Sequence, residues 1–267
     1  MKRLPSFHFL ALLLLVACGA DADDGREPIS SSSSAGRDGS VPPFASTPPD
    51  SGSNEPVLEP RPVDGGYTFA GGTLRAERFV TKLVSFDAGP CSGFGASAMP
   101  NVVFGPPRGG GELQGGFDVV SLGVGGKIVV GFDDAIVDGP GDDFVVFENT
   151  FFAGGNPERP SADLGEVSVS EDGATWKTFP CTATAYPYGA CAGWHPVIAS
   201  YDPNGTSLLP TAAEAGGDRF DLAAVGLAKA RFVRIVDMRS SECTPGVPVT
   251  NLGFDLDAIV SLNAERP

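Results

Sequence analysis

The sequence predicts an all-β fold, a β-sandwich or jelly roll with long loops. From about Tyr67 to Asn263, apolar runs of five to eight residues alternate with clusters of Gly, Pro, Asn and Asp. Several runs alternate apolar and polar residues with a period of two, which is the side-chain period of a half-buried strand. Helical periodicity is weak, and only Leu222 to Ala230 could form a short helix or turn. Many short strands between turn signals are typical of a sandwich or jelly roll.

The predicted strands follow one another along this region. They are Phe79 to Phe86, Lys127 to Phe132, Phe144 to Phe147, Glu166 to Ser170, Thr175 to Phe179, Phe232 to Val236 and Phe254 to Leu262. The run Phe144–Phe147 is apolar at every position, which is compatible with burial on both faces. In Glu166–Ser170 we expect the two valines to point inward and the Glu and Ser side chains outward. In the last strand the alternation predicts that Asp255 and Asp257 share one face, opposite the even-numbered apolar residues.

Residues 1–17 are predicted to be a lipoprotein signal peptide. A basic start precedes the apolar run Phe7–Val16, whose roughly ten residues are fewer than the ~20 that a membrane-spanning helix needs. The motif Leu15–Cys18 (LVAC) resembles the lipobox of bacterial lipoproteins. This resemblance implies that Cys18 is lipidated and anchors the chain in a membrane, and Gly19 after it favours the outer membrane or cell surface. The alternatives are an ordinary signal peptide with an incidental cysteine and a buried N-terminal helix.

Residues 18–62 are predicted to be a disordered linker that follows the lipidated N-terminus. The segment contains the serine run Ser30–Ser34 and the Pro-rich stretch Val41–Pro49, with almost no apolar periodicity. Such a composition cannot bury enough apolar surface to offset its ordering entropy. We therefore expect a flexible tether, or alternatively a binding tail, before a single β-sandwich domain at 63–264.

The charge of the chain argues against nucleic-acid partners. Its formal net charge is −15, and the predicted signal peptide contains Lys2 and Arg3 but no acidic residue, so the mature chain is more acidic still. Phosphate backbones require a basic footprint, which such a chain lacks. Acidic surfaces instead attract cations.

Four cysteines remain once Cys18 is lipidated. An even number beyond a signal peptide predicts two disulfides in an oxidising compartment, with three possible pairings. Cys181 and Cys191 flank one loop and are the favoured pair, which leaves Cys91 with Cys243. The cysteine spacing matches no zinc pattern, so we expect no metal ligation through cysteine.

Six segments together resemble a family of bacterial cell-surface and secreted β-sandwich proteins. They are Ser121–Phe132 (SLGVGGKIVVGF), Asp138–Phe151 (DGPGDDFVVFENTF), Glu166–Trp176 (EVSVSEDGATW), Gly216–Gly226 (GGDRFDLAAVG), Arg231–Asp237 (RFVRIVD) and Gly253–Val260 (GFDLDAIV). The hairpin followed by RFVRI is also distantly similar to discoidin-like, galactose-binding β-sandwiches. That likeness implies an architecture that often carries a structural calcium ion and binds glycans through its end loops.

Acidic residues in several segments are candidate calcium ligands. Calcium takes six to eight oxygen ligands, and carboxylates are its commonest protein donors. The candidates are Asp143, Glu148, Asp218, Asp221, Asp255 and Asp257. Alternatively, these residues are solvated surface acids and turn formers.

The loop from Thr182 to Tyr201 is the candidate ligand-binding segment. It contains Tyr186, Tyr188 and Trp194, whose rings could stack on sugar faces while their polar atoms bind hydroxyl groups. Alternatively, these rings cover a small core of the loop itself.

Little in the sequence points to catalysis, and we expect no enzyme activity. No serine lies in a nucleophile-elbow motif. The carboxylate pairs nearest in sequence, Asp143 with Glu148 and Asp255 with Asp257, could serve a hydrolase but suit a cation or solvent better. We therefore expect a surface-anchored lipoprotein that binds carbohydrate or another surface polymer, with a possible calcium ion. The alternatives are a structural or adhesive envelope protein that contacts a surface protein, and a carboxylate-dependent hydrolase.

Overall fold

The computed structural model describes residues 66–182, 184–239, 243 and 252–266. All of these residues lie in the compact unit that spans 56–267. The predicted signal peptide, Cys18 and the predicted linker lie outside the described residues. Within the described part, no helix has the length and apolarity needed to cross a bilayer.

The fold is an all-β sandwich of antiparallel sheets, as the sequence predicted. Its strands are β1 (Tyr67–Phe69), β2 (Gly72–Leu74), β3 (Lys82–Asp87), β4 (Val120–Ser121), β5 (Lys127–Val137), β6 (Phe144–Phe147), β7 (Gly165–Ser170), β8 (Lys177–Thr178), β9 (Asp218–Phe220), β10 (Lys229–Asp237), β11 (Asp255–Leu256), β12 (Ala258–Ser261) and β13 (Ala264–Glu265). Short 3-10 helices lie at Ala76–Arg78, Ala96–Ala98, Asn101–Val103, Ala153–Gly155, Ala213–Ala215 and Leu222–Val225.

The larger described sheet is organised around the long strand β5. One edge of β5 pairs with β10, which pairs in turn with β7, and β7 pairs with β8. The other edge of β5 pairs with β3 along its first half and with β13 near its end. The predicted strand Lys127–Phe132 is therefore correct in type but extends to Val137.

The opposite layer contains the three-stranded sheet β12-β6-β9 and the two-stranded sheet β11-β4. All four side chains of β6 are buried, which confirms that this apolar run is covered on both faces. One core lies between the layers and includes Val130, Ile235 and Phe144. A second core lies on the other face of β6, where Phe147 and Val260 pack with the β1-β2 hairpin.

The alternation in β7 places Val167 and Val169 in the core and the two serines on the opposite face, where Ser168 and Ser170 are nonetheless buried and Ser168 bonds to Thr178 at 3.0 Å. One detail of the predicted side-chain pattern is wrong. The last strand divides at Asp257, so Leu256 packs in the first core whereas Ala258 packs in the second. The even-numbered apolar residues of that segment therefore do not share one face.

Both disulfides join the pairs that the sequence favoured. The Cα atoms of Cys181 and Cys191 are 4.5 Å apart, and those of Cys91 and Cys243 are 5.8 Å apart. The first bridge closes a short loop, whereas the second joins residues 152 positions apart in the chain. The short bridge braces the base of the aromatic loop.

Candidate functional site

Three aromatic rings form a cluster on the loop braced by Cys181–Cys191. The ring centroids of Tyr186 and Tyr188 lie 5.8 Å and 6.1 Å from that of Trp194, and each pair meets edge to face. Tyr186 is 43% exposed, which makes it one of the most exposed large rings in the described structure. The structure thus brings together all three predicted ligand-contact residues and leaves part of the cluster open to solvent.

Two hydrogen bonds hold Trp194 in place. Its indole Nε1 donates to the carbonyl of Cys191 at 3.0 Å, and its backbone amide donates to Asp218 at 3.2 Å. The Gly193 amide donates to the same Asp218 oxygen at 2.6 Å. Gly193 has a φ of +90°, and a Cβ atom there would lie 2.1 Å from the carbonyl oxygen of Asp163. Only glycine therefore fits beside the indole.

His195 extends the aromatic cluster with a polar group. Its ring centroid lies 3.7 Å from that of Trp194, and its Nδ1 lies 2.7 Å from Asp218 Oδ1. A neutral imidazole that donates from Nδ1 keeps Nε2 as an acceptor. The His195 side chain is 46% exposed. This ring can therefore contact a ligand while Asp218 fixes its orientation.

Asp218 is buried beneath this surface rather than exposed as a cation ligand. Burial raises the pKa of its carboxyl group, while hydrogen bonds from His195 and from the Gly193 and Trp194 amides lower it. The carboxylate thus accepts three hydrogen bonds from consecutive residues. Its place in this structure is below the aromatic cluster.

The six predicted calcium ligands do not form one site. Asp143 and Asp221 lie together, Glu148 and Asp255 form a second group, and the remaining two have separate partners. Asp218 bonds to His195, and Asp257 accepts the Arg108 amide at 2.9 Å. Burial raises the pKa of Asp257 well above its usual range.

Among the described residues, Asp138, Asp143 and Asp221 form an acidic triad. One ligand oxygen from each lies within 4.8 Å of the others. Asp143 is fully buried, and its Oδ2 accepts the Leu222 amide at 2.8 Å. Its Oδ1 accepts the side-chain amide of Asn263 at 2.8 Å. Asp143 therefore already joins the β5-β6 loop to two other segments, while Asp138 remains exposed.

Glu148 and Asp255 form a buried carboxyl pair. Glu148 Oε1 accepts the Asp255 amide at 3.1 Å, and Glu148 Oε2 accepts the Thr150 hydroxyl at 2.6 Å. The Ser121 hydroxyl donates to Asp255. Burial raises the pKa of Asp255 to about 6, and burial together with Asp255 raises that of Glu148 well above its usual range. Both residues are at most 9% exposed, so a substrate has little access to them.

Two further acids face this pair, and the sequence analysis did not select them. Asp163 and Asp237 both raise the pKa of Asp255. Asp163 pairs with Arg239 at 2.7 Å, and Asp237 accepts the amides of Gly125 and Phe254 at 2.9 and 2.8 Å. They lie far apart in sequence, so only the pairing of distant strands could have revealed them.

His195, like Asp138 of the acidic triad, is a further residue that the sequence analysis did not select. A signal was present, because His195 directly follows Trp194 and is the only histidine after the predicted signal peptide. Its partner Asp218 is 23 residues away, and no spacing rule connects them.

Comparison with known proteins adds no relative to this picture. Neither a scan against protein-family models nor a search of curated proteins yields a significant match to this chain.

Proposed function

We propose that this protein is a surface-anchored lipoprotein whose β-sandwich binds carbohydrate or another surface polymer through the aromatic cluster. The observation that carries the proposal is the open surface of Tyr186, Trp194 and His195 on a disulfide-braced loop. Loops on a rigid scaffold commonly supply binding sites. The lipobox-like motif at Leu15–Cys18 supports the anchor.

The chemistry of the cluster suits a sugar better than a small apolar ligand. Aromatic faces stack on the C–H surface of a sugar ring, and phenol, indole and imidazole groups have polar atoms for hydroxyl groups. The indole Nε1 is already bonded to Cys191, so the polar contacts come from the tyrosine hydroxyls and from His195. Binding therefore depends on ring surface first and on hydroxyl geometry second.

The direct test is a glycan array probed with the purified full-length protein. It includes neutral and acidic polysaccharides of bacterial and host surfaces. We expect saturable binding to a limited set of glycans, with dissociation constants from about 1 μM to 1 mM, the range of modest affinities. Absence of binding to every glycan, by a protein shown to be folded, would exclude the proposal.

A structural or adhesive role is the second candidate, and one observation favours it. Leu113 and Phe117 are 68% and 87% exposed on a Gly-rich loop. Large apolar side chains that are exposed on one loop can contact another protein. If Phe117→Ser, rather than loss of Tyr186, abolishes attachment of the protein to cells or envelope material, the adhesive role is favoured over glycan binding.

A further inference from the structure

A cavity of about 420 Å³ lies between the 3-10 helix Ala76–Arg78 and the C-terminal strand segment. Arg75, Arg78, Leu262, Asn263 and Ala264 contribute to its lining. None of these lining residues belongs to the aromatic cluster. The cavity therefore differs in both position and charge from the surface described above.

The guanidinium of Arg78 is only partly satisfied by the protein. Its Nε and Nη2 donate to the carbonyl of Ser261 at 3.0 and 2.6 Å, and Nη2 also bonds to the carbonyl of Leu262. Its Nη1 has no hydrogen-bond partner among the described residues. Among the described residues, Nη1 of Arg78 is not one of the buried side-chain atoms that lack a partner, so this nitrogen is accessible to solvent.

The positive charge of Arg78 also lacks a paired carboxylate. No described acid lies within ion-pair distance of it, whereas the adjacent Arg75 pairs with the buried Asp134 and lies 3.8 Å from Glu77. Burial and the neighbouring Arg75 lower the pKa of Arg78, whereas Asp134, beyond ion-pair distance, raises it. A partly buried cation bonded only to neutral carbonyl groups is stabilised by any anion that reaches it.

We propose that this cavity is a binding site for a small oxyanion, a carboxylate or phosphate group that accepts hydrogen bonds from Arg78 Nη1. Arg75 lines the same wall, but its charge is already paired with Asp134, so the available positive charge is that of Arg78. Because the whole chain carries a formal net charge of −15, diffuse attraction does not concentrate anions on it. Anion binding thus requires a local site of this kind.

Two probes distinguish the sources of the oxyanion. Inorganic phosphate represents a phosphate group, and glucuronate represents the carboxylate of an acidic sugar, with glucose and sodium chloride at matched ionic strength as blanks. The readout is isothermal titration of the purified full-length protein. We expect saturable binding of at least one anion and none of glucose at this site.

The variants test whether Arg78 is responsible. Arg78→Gln removes the donor but also the bonds to Ser261 and Leu262, so it can lower stability. Ala264→Glu is the second variant, because it places a carboxylate in the cavity and leaves Arg78 intact. Lys177→Gln removes an exposed positive charge elsewhere and serves as the control.

The expected result is at least a tenfold loss of anion affinity in Ala264→Glu, with Lys177→Gln unchanged. Equal affinity in Ala264→Glu and the unmodified protein would overturn the proposal. So would the absence of saturable binding of both phosphate and glucuronate. Either result leaves glycan binding by the aromatic cluster untouched, because neutral glycans do not require this cavity.

Discussion

The buried carboxylate of Asp218 lies 2.7 Å from Nδ1 of the half-exposed His195. The same carboxylate accepts the backbone amides of Gly193 and Trp194. One acidic side chain on β9 thereby fixes three consecutive residues of the aromatic loop. The orientation of the open ring surface therefore depends on a carboxylate that is buried beneath it.

Substitutions of Asp218 and His195 distinguish the residue that supports the aromatic loop from a residue of its open surface. Asp218→Ala leaves buried amides without an acceptor, so we expect it to lower the free energy of unfolding by about 3 kcal/mol. His195→Ala removes a half-exposed ring and one of the three hydrogen bonds to Asp218, and water can occupy the vacated position, so we expect a smaller loss of about 1 kcal/mol. Urea unfolding of both variants measures the difference. Similar costs for the two substitutions would contradict the arrangement.

The pair Glu148–Asp255 predicts that stability falls as pH rises. In the unfolded chain both carboxyl groups have ordinary pKa values near 4, whereas burial raises the pKa of Asp255 in the fold to about 6. The folded protein therefore binds more protons between these values, and its stability is greatest below about pH 4 and is lost through about pH 6. For Asp255 alone the loss amounts to about 3 kcal/mol.

The measurement is urea unfolding from pH 4 to pH 8, with two variants. Asp255→Asn should make the free energy of unfolding fall less steeply with pH. Part of the fall should remain, because burial also raises the pKa values of Asp163, Asp218 and Asp257. The control Asp172→Asn removes an exposed acid whose pKa hydrogen bonds lower to about 2, so the slope above pH 5 should persist. Stability that rises between pH 5 and pH 8 would exclude the buried pair as described.

The two disulfides should contribute unequally to stability. In the chain-entropy account, a bridge that closes a loop of 10 residues adds about 3 kcal/mol, whereas one across 152 residues adds about 5 kcal/mol. Replacement of Cys91 and Cys243 by alanine should therefore destabilise the protein more than replacement of Cys181 and Cys191. Unfolding midpoints under non-reducing conditions check the order, and the reverse order would count against the account.

Calcium should stabilise the protein if the acidic triad binds it. We expect addition of calcium to raise the melting temperature of chelator-treated protein in a saturable way. Asp138→Asn removes the exposed member of the triad and should abolish the rise. Asp142→Asn, at an exposed acid outside the triad, is the matched control. A melting temperature that does not respond to calcium refutes this prediction.

The strand pattern was predictable because burial imposes a period of two. Val167 and Val169 lie in the core where alternation placed them, and β6 is buried on both faces as its continuous apolar run indicated. The division of the last strand was not predictable. One irregular residue, Asp257, transfers the following side chains to the other face without a signal in hydrophobicity.

Local sequence patterns could not predict which groups the acidic residues contact. Glu148 lies five residues from Asp143, yet it bonds to Asp255 because β12 pairs with β6 and brings Ala258 opposite Phe147. The aromatic loop was easier to identify, since its rings lie close in sequence and a short disulfide confines them. Sequence proximity therefore predicted the clustering of the three aromatic rings but not the pairing of the acids.

Titration of the best glycan from the array into matched variants tests the central proposal most directly. Tyr186→Ala removes the open ring of the cluster, while Phe117→Ala removes an even more exposed ring outside it. If the cluster binds the glycan, Tyr186→Ala weakens binding at least tenfold, about 1.4 kcal/mol, and Phe117→Ala leaves it unchanged. Equal affinity of Tyr186→Ala and the unmodified protein would contradict the proposal.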